Sequence, residues 1–240
     1  MTESYSERFL TRIRTLGYFH DLTLAPHTVA ETLYITPDPG EIPGWEWLPQ
    51  SATQSTNGLV LIEGLRRQTA FSPPFAIEID DADRVQDGPN FDPFIASLTR
   101  QRKIAFILLR FGQYAVGVAD DEKLVLSKTG TRYVKGRHRA GGQSQRRFER
   151  NREVWVARLY GQLCKTTTER FTPYERNLDA LALGGDLHVL EDFRKRCEFS
   201  ERLSRRVQNI HVPVDRPGMK SLERAVTNAW GCRVWELNLL

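Results

Sequence analysis

The sequence predicts an α/β fold: a mixed β-sheet with flanking helices, and a basic glycine loop leading into a long helix. Three observations carry this expectation. Residues 103–127 hold three short apolar runs separated by turn residues, the pattern of an antiparallel meander. Residues 145–169 keep apolar positions on one helical stripe. From residue 178 onward, apolar runs alternate with helical patterns, which places helices against a sheet.

Taken in order, Phe9, Ile13 and Leu16 fall at helical spacing, so a helix is expected over 4–17, with Gly17 as its stop. A strand follows over 28–36. Residues 37–57 are rich in proline, glycine and tryptophan, and Trp45 and Trp47 predict an irregular loop packed over the sheet. Residues 58–63 and 75–79 read as short strands, and 91–100 as a helix entering a buried strand over 103–111. Residues 112–119 and 123–127 complete the meander, with Asp120-Asp121-Glu122 as the turn between them. The last strand is expected to continue through Tyr133 to the basic loop. On the long helix, Phe148, Trp155, Leu159 and Leu163 form the core stripe, while Arg146 and Arg150 point away from it. A strand over 178–183 ends in Gly184-Gly185, and this dipeptide with Asp186 reads as a strand-to-helix turn, since it lacks the spacing of a nucleotide-binding loop. A helix over 187–196, a strand over 208–214, a helix over 217–230 and a strand over 233–240 finish the chain.

A chain of 240 residues, 40% hydrophobic and 10% aromatic, has material for a substantial core. A boundary is expected near residue 65, with 1–65 as an N-terminal helix/strand extension packed on a main domain over 66–240. The net charge of +4 conceals an asymmetry. Residues 1–100 hold 7 Lys+Arg against 14 Asp+Glu, a net −7, which leaves +11 for the rest. Residues 128–152 alone carry nine bases and one acid, Glu149. Charge so concentrated points to a polyanionic partner.

Cys164, Cys197 and Cys232 are scattered and odd in number, which predicts reduced, buried thiols instead of a disulfide framework or a zinc site. His20, His27, His188 and His211 lack metal-ligand spacing, and Asp80, Asp81 and Asp83 read as a solvated acidic loop. No metal and no cofactor is expected. The first residues have no apolar run of the secretory type, and the longest apolar run, Ile104 to Leu109, is too short to span a bilayer. A soluble, cytoplasmic monomer that does not engage membranes is the expectation.

The most informative stretch runs from Arg137 to Arg152. Gly141 and Gly142 allow close backbone approach to another molecule. Gln143 offers donors and an acceptor without ionising. The flanking arginines suit phosphates. The pattern Gly141-Gly142-Gln143-Ser144-x-x-Arg147-Phe148-x-Arg150-x-Arg152, with Lys135 and His138 upstream, resembles the catalytic loop and following helix of the eukaryotic and archaeal class I peptide-chain release factors. Loosely, the resemblance covers residues 100–240. One departure is Ala140, where the family usually has arginine; Arg139 lies one residue earlier. With no segment assignable to the family's codon-reading domain, the chain looks closest to the stand-alone, release-factor-like peptidyl-tRNA hydrolases of ribosome quality control.

The resemblance implies an enzyme that releases nascent peptide from peptidyl-tRNA on stalled large ribosomal subunits, independently of a codon. Water would attack the ester carbonyl, a step that needs positioning and oxyanion donors more than a strong base. The implied catalytic residues are Gln143, through its backbone N–H and side chain, with Gly141 and Gly142 permitting the fit. Lys135, Arg137, His138, Arg139, Ser144, Arg146, Arg147, Arg150 and Arg152 are the expected contacts to ribosomal RNA or the tRNA acceptor end. His138 is read as an RNA contact before a general base, and Ser144 also as the helix N-cap. Two alternatives stay open: endonucleolytic cleavage of the tRNA 3′ acceptor end, and an inactive ribosome- or RNA-binding factor.

Overall fold

The computed structural model describes residues 5–37, 39–110, 112–131 and 143–239; the side chains of residues 143–149, Arg152 and Asn209 lie outside the description. The chain forms two compact units, one of residues 1–100 with 230–240 and one of residues 101–229. The boundary expected at 65 lies within a hairpin of the first unit, because the two strands on either side of it pair directly.

In chain order the first unit holds β1 (Ser6–Leu10), α1 (Arg12–Leu24), β2 (Val29–Ile35), α2 (Gln50–Thr53), β3 (Leu59–Gly64), β4 (Arg67–Ser72), β5 (Val85–Asp87) and α3 (Asp92–Thr99). The second holds β6 (Lys103–Arg110), β7 (Gln113–Asp120), β8 (Lys123–Thr131), α4 (Gln143–Phe171), β9 (Ala180–Gly185), α5 (Leu187–Arg196), α6 (Glu198–Arg206), β10 (Gln208–Val212) and α7 (Met219–Asn228). The chain returns to the first unit in β11 (Cys232–Asn238).

The first sheet runs β1-β11-β4-β3-β2-β5, and all its pairs are antiparallel. Side chains alternate between its faces. Val60, Ile62, Phe71 and Val234 join Phe19 and Phe94 in one core, while Leu59, Leu61, Ala70 and Trp235 pack with Trp45, Leu48 and Ala52 in another. The 37–57 segment therefore covers the sheet, as its tryptophans suggested.

Two local expectations for this unit fail. The helix over 4–17 is a strand followed by a helix. Thr11 is extended (φ −69°, ψ 162°) and divides them, and Phe9 and Ile13 are 46% and 78% exposed, so their spacing marks no core stripe. Gly17 lies inside α1 and does not end it. The strand over 75–79 is irregular, since it follows Pro73 and Pro74, which have no N–H for a ladder. The strand is β4 instead, where Gln68 and Thr69 are buried despite their polarity.

The second sheet runs β10-β9-β6-β7-β8 and is mixed: β10, β9 and β6 are parallel, β7 and β8 antiparallel. The meander is as expected, and Asp121 takes the left-handed conformation (φ 54°) at its turn. Ala105, Ile107, Leu109, Val116, Leu181 and Leu183 face α4, α5 and α6 in one core. On the opposite face α7 packs on β6–β8, with Leu222 against Gly117. Gly185 has a positive φ of 119°, and Asp186 caps α5 by accepting the Val189 N–H at 3.2 Å, so the Gly-Gly-Asp turn forms as read. Helix α6 was not expected; its buried face includes Ser200 and Ser204 beside Phe199 and Leu203. Cys164 of α4 and Cys197 after α5 form a disulfide with Cα atoms 5.5 Å apart, an ordinary separation for the bond, which corrects the expectation of three thiols. Cys232 is free and buried, and burial pushes its pKa up to about 12. No helix among the described residues is long and apolar enough to cross a membrane.

Candidate functional site

The candidate site lies where the second sheet's edge strand passes into its longest helix. Strand β8 ends at Thr131 and α4 begins at Gln143. Gln143 is therefore the first helical residue and Ser144 the second, so Ser144 is not the N-cap. Lys135, Arg137, His138, Arg139, Gly141 and Gly142 lie outside the described residues. Gln143, Ser144, Arg146 and Arg147 occupy the first turns of α4, with their side chains outside the description, as is that of Arg152. Arg150 is exposed.

Helix α4 has 29 residues, about 43 Å at 1.5 Å per residue. Among the described side chains, its buried positions are Val156, Leu159, Tyr160 and Leu163. Ahead of Val156, Arg150, Asn151, Glu153 and Val154 are all exposed. Trp155, expected in the core, is half-buried. Gln143 sits about 20 Å along the helix axis from Val156, the first buried side chain among those described.

The far part of the helix is fixed from several directions. The Cys164–Cys197 disulfide ties it to the end of α5. The Tyr160 hydroxyl donates to the Val189 carbonyl at 3.2 Å, and the Arg196 guanidinium lies 5.6 Å from the Tyr160 ring. Beyond the helix, Glu175 pairs with Arg202 at 3.3 Å and Arg206 at 3.1 Å, joining the following turn to α6. The sequence reading missed these anchors. Cys164 and Cys197 were the available signal, but a separation of 33 residues hides a pair that only tertiary packing brings together.

The electrostatics at the helix start are unusual for a helix considered alone. Its first turn carries no acid. The N-terminus is the positive end of the macrodipole and presents unpaired backbone N–H groups. Arg146 and Arg147 follow within the first two turns. A helix start with no acid in its first turn and two arginines close behind suits a bound anion. Among the described residues there is no group of His, Cys, Asp and Glu that could hold a metal ion.

A model of the actinobacteria/chloroflexi VLRF1 release factor family matches residues 102–235, more than half of the chain. The chain belongs to that family. The match takes in β6, β8, α4 and the Gly141-Gly142-Gln143 segment. The chain is also similar to peptide chain release factor subunit 1 of Archaeoglobus fulgidus, at 29% identity over 119 residues, covering 50% of this chain and 29% of that one. With the subunit 1 of Aeropyrum pernix the identity is 26% over 186 residues, covering 72% and 48%. The chain thus spans less than half the length of these relatives. The crystal structure of an archaeal translation termination factor, aRF1, aligns with a TM-score of 0.41 at 16% identity, over 92% of this chain and 70% of that one. The release-factor resemblance read from the basic loop is therefore borne out at the level of the family.

Proposed function

We propose that this protein releases nascent peptide from peptidyl-tRNA on stalled large ribosomal subunits without reading a codon, its Gly141-Gly142-Gln143 loop acting at the peptidyl transferase centre. The observation that carries the reading is the place of Gln143: it opens a positively charged helix of 29 residues, about 20 Å along the axis from Val156, the first buried side chain among those described. Membership of a release factor family supports it.

In this mechanism the arm delivers a neutral amide into an RNA-lined cavity while the sheet of the second unit stays outside. The Gln143 N–H is among the helix's unpaired donors and lies at its positive end, where it meets the charge that develops on the ester carbonyl oxygen. The Gln143 side chain aligns the attacking water. Water adds to the carbonyl carbon, the bond to the ribose 3′ oxygen breaks, and the oxygen takes a proton; the products are a free peptide and a tRNA with an intact end. Gly141 and Gly142 allow the backbone to approach the substrate. Arg150 and the bases at positions 135, 137, 139, 146, 147 and 152 hold phosphates, which fixes position but reads no sequence. Binding therefore weakens steeply as salt rises.

The test uses large subunits carrying a radiolabelled nascent chain on tRNA. Gln143→Ala keeps the backbone N–H but removes the amide that aligns the water, and is expected to lower the release rate by about 10²-fold, the cost of a misplaced reactant, with subunit binding retained. Unchanged release by that variant contradicts the proposal. Mapping the tRNA 3′ end separates the chemistries: an intact CCA end is expected, and a shortened end bearing a cyclic phosphate identifies attack by a ribose 2′-hydroxyl on the adjacent phosphate instead.

A further inference from the structure

The first unit carries a groove that the release reaction does not use. It is about 520 Å³ in volume and lies in the 37–57 segment over the sheet. Its floor is Ile42, Trp45 and Leu48, which also pack on Leu59, Leu61 and Trp235. Its rim carries Glu41, Glu46 and Gln54, all exposed. Groove and charge agree: residues 1–100 hold twice as many acids as bases, 14 against 7. A nucleic acid is repelled from such a surface, and a basic ligand is drawn to it.

The groove is built before any ligand arrives. Pro37, Pro39, Pro43 and Pro49 restrict the segment's backbone. The Trp45 N–H donates to the Ile42 carbonyl at 2.9 Å and the Leu48 N–H to the Trp45 carbonyl at 3.0 Å. The sheet holds it from below: the Gln68 amide donates to the Gly44 carbonyl at 3.2 Å and accepts from the Trp47 indole N–H at 2.6 Å. The Glu46 carboxylate accepts the Gly44 N–H at 2.9 Å, and this bond holds its pKa below the usual carboxylate range, so Glu46 remains charged. Long connections that pack on themselves and leave a fixed concavity are characteristic of binding loops.

We infer that this groove is a docking site for a short extended segment of a basic protein partner, in which an aliphatic side chain enters over Ile42, Trp45 and Leu48 and a neighbouring lysine or arginine pairs with Glu41 and Glu46. Its volume is within the range of small-ligand sites and accommodates a few residues of extended peptide. The Gln54 amide is a partner for the peptide backbone. With a basic arm in one unit and an acidic groove in the other, the chain has separate surfaces for RNA and for protein.

The experiment probes an array of capped pentapeptides, permuted from Lys, Leu, Phe, Glu and Ser, with the full-length protein at physiological salt. Affinities of fluorescein-labelled hits are then measured by anisotropy. Peptides with Lys beside Leu or Phe are expected to bind at least tenfold tighter than those with Glu for Lys or Ser for Leu. Glu41→Lys/Glu46→Lys should lose that binding at least tenfold. Asp80→Lys/Asp83→Lys, with the same charge change elsewhere in the unit, should keep it within twofold. If Glu41→Lys/Glu46→Lys does not fold, Gln54→Lys on the exposed rim serves as the test, with a loss of at least threefold expected. Equal losses in both charge-reversal variants leave only bulk electrostatics and overturn the inference, as does indifference to Ser for Leu. Self-association of the protein in competition with the hits overturns it too, since the occupant is then a second copy.

Discussion

Replacing Val154 with proline tests whether α4 works as a rigid arm. Val154 is 47% exposed and lies two residues before Val156, the first buried side chain among those described. Proline there removes the hydrogen bond from residue 154 to the Arg150 carbonyl and places its ring against that carbonyl, a cost of about 3 kcal/mol if the helix is to continue. The segment from Gln143 to this point is shorter than the ~12–15 residues an isolated helix needs in water, so it cannot recover the loss by itself. A kink of about 20° over a lever of roughly 16 Å moves Gln143 by ~6 Å. Since a misplacement of about 1 Å can cost ~10²-fold in rate, release from stalled subunits should fall by at least that factor. Val156, Leu159, Tyr160 and Leu163 keep their packing, so the melting temperature should move by only a few degrees, about the shift that 1 kcal/mol produces. Val154→Ala should release peptide at the wild-type rate. Release assays beside thermal melts decide the matter, and wild-type release by Val154→Pro refutes the rigid-arm reasoning.

Three further predictions concern the scaffold. Gly185→Ala should destabilise by about 3 kcal/mol or more in denaturant titrations, because φ is 119° and a Cβ would run into the Leu109 carbonyl. Gly17→Ala should stabilise by about 0.5–1 kcal/mol in the same titrations, since the position is helical and a Cβ there meets nothing within 4 Å. Cys197→Ser should lower stability by about 4 kcal/mol, the chain-entropy expectation for a loop closed across 33 residues, and added reductant should lower wild type to match; insensitivity to reductant removes the disulfide from the account.

What the sequence discloses and what it hides divide along physical lines. Strands β6 and β7 are apolar runs because both faces of the sheet are covered, and Gly185 with Asp186 marks a turn by backbone need and capping chemistry. The long helix is legible from Leu159 and Leu163, which follow the 3.6-residue period into a real core. The misreadings arise where a local pattern imitates another one. Phe9 and Ile13 have helical spacing, yet one lies on an edge strand and the other is solvent-exposed. The strand over 67–72 goes unread because Gln68 and Thr69 are polar, yet both are buried in β4, where Gln68 bonds Trp47 and Glu63. At the candidate site, the motif from Gly141 to Arg152 is local and therefore visible. The anchoring of its helix by Cys197, Val189 and Arg196 is made by elements more than twenty-five residues away in the chain, and no local period encodes it.

A cryo-EM map of the protein on a stalled large subunit, trapped with Gln143→Ala and uncleaved peptidyl-tRNA, reaches the central claim most directly. The account predicts the tip of α4 in the peptidyl transferase centre, with residue 143 beside the ester carbonyl and the first helical turns against RNA phosphates. A bound complex in which α4 points into solvent, its tip remote from the acceptor end, contradicts it.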